Sequence, residues 1–408
     1  MKIDDLQRRF DTYSGTLPGV VDALLDHGCL DLVMAAAEER EDWFCAVGAA
    51  RELGAGSAFE RAWAVIEPFA VTGWQPAVRA GADVLLRWGR VAEALELANP
   101  EQRAHVADDA WGDYLGVLVR AGRADEAICV VTSRVHDERT LRVLAELPDG
   151  TANADRVLDE AIRLLGADSG IARRGSVNTG ILYARLLARR GRTETLRELA
   201  DADAYGILPF YLTALEAQGR DDEAEAYLRA RMSTAQRPWV YESQLMELLM
   251  RRHRFAEAID AVDHTFESRS DHNLLQSALL LLAEHERHDE ALALTENRSA
   301  EFKADNEECW LRSSRWWLMG ETGRADAALA ELEGLPPERV ADREGTLAWL
   351  LARAGRTEEA IALLRRLPGI TAVCDLALAL IDQGRCAEAL AALPATDARQ
   401  DERPPQHG

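Results

Sequence analysis

The side chains best suited to chemistry are few or scattered in this 408-residue chain. His285 and His288 are the only close histidine pair, and on one helix face they could offer two ligands to a metal. They straddle a predicted turn with no cysteine nearby, so surface histidines are the expectation and no metal site is assigned. Lysine occurs only as Lys2 and Lys303, and neither follows a Gly-rich loop, which removes Walker A phosphate binding and leaves a Schiff base without support. G-x-S-x-G, H-E-x-x-H, an EF-hand loop and a G-x-G-x-x-G after a strand are all missing. The many carboxylates, such as Glu38-Glu39 and Asp221-Asp222-Glu223, read as solvated helix ends. The chain is therefore expected to be non-catalytic, with no cofactor.

Binding chemistry is better supplied. Arginine and tryptophan dominate interaction hot spots, and both recur here at fixed distances before a repeated Gly-Arg dipeptide. That dipeptide stands at 89/90, 122/123, 191/192, 219/220, 323/324, 355/356 and 384/385, while His253-Arg254 and Glu286-Arg287 keep only the Arg. Successive turn positions are separated by 33, 69, 28, 34, 33, 37, 32 and 29 residues, the 69 holding a degenerate copy. A period in the low thirties marks stacked two-helix units. Gly ends the first helix because it takes the left-handed conformation without a Cβ penalty, and Thr193, Asp221 and Thr357 are placed to cap the second. Five residues past the turn, Ala94, Ala127, Ala224, Ala258, Ala291, Ala328, Ala360 and Ala389 recur, with Leu196 the exception; a small residue there predicts close helix packing. His253 and Glu286 must strain the turn or change it.

The Gly-x-x-x-Glu-Ala kernel after an apolar helix, with this period, resembles the tetratricopeptide repeat family over roughly residues 76 to 393. It departs in the Arg after Gly, in aliphatic residues at aromatic positions and in wandering spacing. Pentatricopeptide repeats, which bind RNA, share a similar Gly-basic-x-x-Glu-Ala kernel. The resemblance implies an all-α, right-handed α-solenoid of about ten to twelve hairpins. Divergent cap repeats are expected in 1–75, the regular array in 76–393 with a degenerate repeat and a loop at 134–180, and a disordered tail in 394–408.

By the same resemblance the first helix of each unit would line a binding groove. Counting two, three, six and ten residues back from the turn gives Arg79, Asp83, Arg87, Arg120, Arg185 and Arg189 in the N-terminal half. The C-terminal half gives Glu247, Arg251, Trp317, Glu321, Trp349 and Arg353. Trp316 and Trp317 are adjacent and cannot both face the groove. The expected function is a scaffold that binds a protein segment, and an alternative is a ligand-sensing regulator. RNA binding is opposed by the net charge of −23. Closure into an α/α toroid enzyme would need paired carboxylates at one rim, which ubiquitous carboxylates neither support nor exclude. The family's clamp for a peptide carboxylate lacks its Lys and Asn here.

Six scattered cysteines without a C-x-x-C, no apolar leader in MKIDDLQRRF and no long apolar run lead to an expectation of reduced thiols, a cytoplasmic location and no membrane. The dominance of Arg over Lys suggests a high-GC bacterial source. Neither the partner nor the oligomeric state follows from the sequence.

Overall fold

The computed structural model describes residues 3, 6, 7 and 10, then 16–102, 109–148, 150, 151, 153–167, 177–202, 204–235, 237–263, 271–298, 307–337, 340 and 342–393. Among them are 24 α-helices, one 3-10 turn and no strand. The expected tail at 394–408 and most of the 166–180 loop fall outside the described residues. The chain forms two compact units, Met1–Ala224 and Glu225–Leu393.

In the first unit the helices are α1 (Pro18–Asp26), α2 (Leu30–Glu39), α3 (Trp43–Ala55), α4 (Phe59–Ala70), α5 (Gln75–Arg87), α6 (Val91–Ala98), α7 (Ala110–Arg120), α8 (Ala124–Arg134), α9 (Glu138–Glu146), α10 (Ala154–Ala167), α11 (Val177–Arg189), α12 (Thr193–Ala202) and α13 (Ala204–Glu216). Helix α14 (Asp221–Met232) carries the boundary. The second unit continues with α15 (Pro238–Arg251), α16 (Phe255–Asp263), α17 (Asp271–Glu284), α18 (His288–Arg298), α19 (Glu307–Glu321), α20 (Ala325–Glu333), α21 (Arg343–Arg353), α22 (Thr357–Leu364), α23 (Ile370–Asp382) and α24 (Cys386–Ala392). Odd-numbered helices are the first of each hairpin. They pack side by side through the first unit, and in the second α15 meets α17, α19 meets α21 and α21 meets α23. Each unit is thus a stack of helical hairpins, as the sequence period requires.

One turn builds every regular joint. The turn residue donates its N–H to the carbonyl three back and the following Arg to the carbonyl five back, as Gly355 does to Ala352 (3.1 Å) and Arg356 to Leu351 (2.8 Å). The same pair of bonds closes Gly28-Cys29 and Ser57-Ala58, so the irregular first 75 residues use the same device with other residues after the turn. His253 (φ 58°) and Glu286 (φ 60°) resolve the choice left by the sequence: they keep the turn and accept the left-handed strain. The alanine five residues on is fully buried in all eight copies, and Leu196 is buried in its place. A larger side chain there would overpack the hairpin.

Two local expectations are corrected. Thr357 does not cap α22; Arg356 occupies the N-cap position and no side chain caps the helix. Instead the Arg that follows the turn pairs with a carboxylate three residues later, seen in Arg90–Glu93, Arg123–Glu126, Arg220–Glu223, Arg254–Glu257, Arg287–Glu290, Arg356–Glu359 and Arg385–Glu388. The Arg that departs from the tetratricopeptide pattern thereby holds the acidic first turn of the second helix, where the helix dipole also favours the carboxylate. The expectation of reduced thiols also fails in part. Cys45, Cys129 and Cys374 are free, and burial, followed by the Asp42 charge, pushes the Cys45 thiol up to about 12, leaving it inert. Cys29, before α2 in the first unit, is disulfide-bonded, and in the second unit so is Cys386, which opens α24. Scattered spacing gave no sign of disulfide bonding at these two residues, because a disulfide joins residues that folding, not sequence, brings together.

Candidate partner-binding face

The residue six before each turn sits on the outer side of a first helix, so the same position can be compared along each stack. In the first unit this row runs Asp22, Arg51, Asp83, Gly116, Arg185 and Thr213. It is ionic and largely self-satisfied. Arg51 pairs with Asp22 across α1 and α3, and Arg120 reaches back from α7 to Asp83 on α5 at 2.5 Å. Arg87 also approaches Asp83 (3.9 Å) and lies over the Phe59 ring. One helix position away, Asp113 is buried, with its carboxylate held by Gln75 (2.6 Å) and Arg139 (2.5 Å) and Arg79 at 3.9 Å. Arg189 caps α9, donating to the carbonyls of Leu144 and Ala145. Of the five arginines the sequence placed in this groove, four are committed to neighbouring helices. Arg185 alone is exposed without an ion pair among the described residues.

In the second unit the same row runs Glu247, Leu280, Trp317, Trp349 and Leu378. Leu280 is 50% exposed, Leu378 37% and Trp317 36%, while the adjacent Trp316 is buried and donates its indole N–H to Glu331. The pair of tryptophans therefore divides: Trp316 belongs to the core and Trp317 to the surface. Trp349 is half-buried, its ring packed so closely against α19 at Gly320 that any Cβ there would overlap it. Arg353 stacks on Trp349 (5.4 Å to the ring centre) and bonds Glu321 at 2.7 Å. Trp317, Trp349, Arg353 and Glu321, all singled out from the sequence, are thus gathered on α19 and α21. Arg251 stays with Glu247 on its own helix, 3.9 Å apart.

Sequence reasoning missed Leu280 and Leu378, although both occupy the row that identified the tryptophans. It had looked for hot-spot residue types in that row, and the row itself was the signal. Between α21 and α23, Trp349 and Leu378 open onto a cavity of about 370 Å³ whose lining includes Arg353, Asp375 and Asp382. Burial in this wall, and then the Asp342 charge, raise the Asp375 carboxyl above its ordinary value. His285 does not meet a metal cluster: its ring sits edge-on to His253 and Phe255, with Arg287 over Phe255, and no group of three metal-binding side chains occurs among the described residues.

No protein-family model matches the chain, and no curated protein matches it. Solved structures similar to it include the maize pentatricopeptide repeat protein PPR10, at 15% identity and TM-score 0.35, covering 88% of this chain and 58% of that one. The chain so spans little more than half the length of the maize protein. The APC/C hetero-tetramer Cut9-Hcn1 aligns at 12% identity and TM-score 0.28 over 97% of each chain. Yeast Tom70 aligns at 13% identity and TM-score 0.31, covering 94% of this chain and 91% of that one. Likenesses this distant carry no function across.

Proposed function

We propose that the chain is a non-catalytic interaction module that binds a segment of a partner protein along the first helices of its second unit. The observation that supports this is the register-aligned row Leu280, Trp317, Trp349 and Leu378 on successive first helices, three large apolar side chains left exposed and the half-buried Trp349 among them. Contiguous apolar surface of this kind marks interaction sites, and tryptophan anchors carry the largest share of binding energy. Helices packed 8–10 Å apart present these positions about every three residues of an extended chain, so the row would read a segment of roughly ten residues. The surrounding charge is acidic, with Glu284 and Asp382 beside the row and a chain net charge of −23, which complements a basic and apolar segment. RNA is disfavoured because four of the five candidate groove arginines are already held by neighbouring helices, leaving Arg185, and because the chain's net charge is −23. No helix of the described residues is long and apolar enough to cross a membrane.

We further propose a cytoplasmic setting in a high-GC bacterium, on the free thiols of Cys45, Cys129 and Cys374 and on arginine's near-complete replacement of lysine, with the disulfide bonding at Cys29 and Cys386 standing against it. Alkylation of intact cells followed by mass measurement of the Cys29 and Cys386 peptides checks the compartment: both trapped as thiols would support the cytoplasm and make their bonding in the structure a product of oxidation, whereas both trapped as disulfides would overturn the cytoplasmic reading.

The binding test is a capture from lysate with the full chain and with Leu280→Glu/Trp317→Glu, both confirmed helical by circular dichroism. A partner held by the parent chain should be lost by the variant, with affinity lower by about 30-fold or more, the equivalent of roughly 2 kcal/mol. Equal retention by both chains would overturn the reading.

A further inference from the structure

The cavity between α21 and α23 has walls of two kinds. One is apolar: the Trp349 ring, Leu378 and the small Ala352. The other is a pair of carboxylates, Asp375 and Asp382, two helical turns apart on α23 and so on one face. Neither carboxylate makes a hydrogen bond or ion pair with another described residue, whereas nearly every other charged group discussed above is matched. The one cation in the lining, Arg353, is bound to Glu321 and stacked on Trp349, so it does not neutralise them. The cavity is consequently anionic on one side and aromatic on the other.

We propose that this cavity is a specificity pocket for a cationic side chain, arginine or lysine, of the partner segment, a proposal that rests on the binding face described above. The alkyl stem of such a side chain would cover Leu378 and Trp349, and its charged head would meet Asp375 and Asp382. An acidic side chain is repelled from the pocket. A purely apolar one strips water from two carboxylates and returns nothing to them. Both carboxylates stand exposed at the cavity, and the raised Asp375 carboxyl agrees with a charge that no cation of the protein offsets. The volume, about 370 Å³, is in the lower part of the range for small ligand pockets and suits one long side chain.

The probe is a random library of 12-residue peptides selected on the full chain, followed by titration of one selected peptide and its Arg→norleucine (or Lys→norleucine) form. These are measured against the parent chain, Asp375→Asn/Asp382→Asn and Leu280→Glu/Trp317→Glu, each checked for fold by circular dichroism. The expected result is a fixed basic position in the selected peptides. Its loss should weaken binding to the parent tenfold or more, and to the double-Asn chain less than twofold. Selected peptides without a basic position, or an equal loss on parent and double-Asn chains, overturn the pocket while leaving the binding face intact. Peptides that bind Leu280→Glu/Trp317→Glu as well as the parent overturn the face itself, and with it the pocket.

Discussion

The two units use one hairpin, one turn and one register, yet the row six residues before the turn is largely ionic in residues 1–224 and, after Glu247, apolar in 225–393. Asp22, Arg51, Asp83 and Arg185 occupy it in the first unit; Leu280, Trp317, Trp349 and Leu378 occupy it in the second. The difference teaches that packing and recognition are written in separate positions. The buried alanine and the left-handed turn are common to both units and fix the helices. The row is free to vary, so one unit spends it on ties between its own helices and the other leaves it for a partner.

This contrast can be broken most severely in the first unit. Asp113→Ala strands Arg139 beside a buried site and should cost about 3 kcal/mol, read as faster hydrogen exchange across α5, α7 and α9. Trp317→Ser, at the row position of the second unit, should cost less, about 1 kcal/mol, since more than a third of the residue stands exposed. Comparable losses at both sites would end the distinction. Next in size is Gly320→Val, whose added carbons overlap the Trp349 ring; about 2 kcal/mol of destabilisation and a parallel loss of peptide binding are expected, by thermal melt and titration.

A smaller effect concerns Glu225, which gathers Arg254, Arg252 and Arg229 at the start of the second unit. The hydrogen bond from Arg254, the largest influence, holds its carboxyl below the usual range. A depressed folded value means the stabilisation is complete above the unfolded carboxylate value and is lost as pH falls through the folded one. Glu225→Gln should therefore lower stability by about 1 kcal/mol at neutral pH and close the gap to the parent in acid, measured by denaturant titration at several pH values. Glu286→Gly relieves left-handed strain and should raise stability by about 1 kcal/mol in the same assay. Smallest of all, the paired arginines of the first unit should give oligonucleotides no salt-sensitive binding at low ionic strength.

Much of the fold was legible because its determinants are local. Gly-Arg ends one helix, Glu-Ala opens the next, and periodicity supplies the faces; even the degenerate turn at Ser57 obeys the same bonds. The candidate site was legible only in part. Counting back from the turn found Trp317, Trp349 and Arg353, and adjacency showed that Trp316 must face elsewhere. The same count proposed Arg79, Arg87, Arg120 and Arg189 as a basic groove, because a sequence shows a charge but not its partner on the neighbouring helix. Asp375 and Asp382 were invisible for the same reason: what distinguishes them is the pairing they lack. The disulfide bonding of Cys29 and Cys386 likewise depends on distances that spacing does not encode.

The turn that keeps its bonds with Gly, Ser, His or Glu alike has a consequence for how such a protein changes over evolutionary time. Because each joint resets the register by itself, a whole hairpin of the second unit can be duplicated or lost without rotating the rows that remain. The binding face would then lengthen or shorten in steps of about three ligand residues, so the reading frame of the recognised segment, and not only its affinity, is an inheritable quantity.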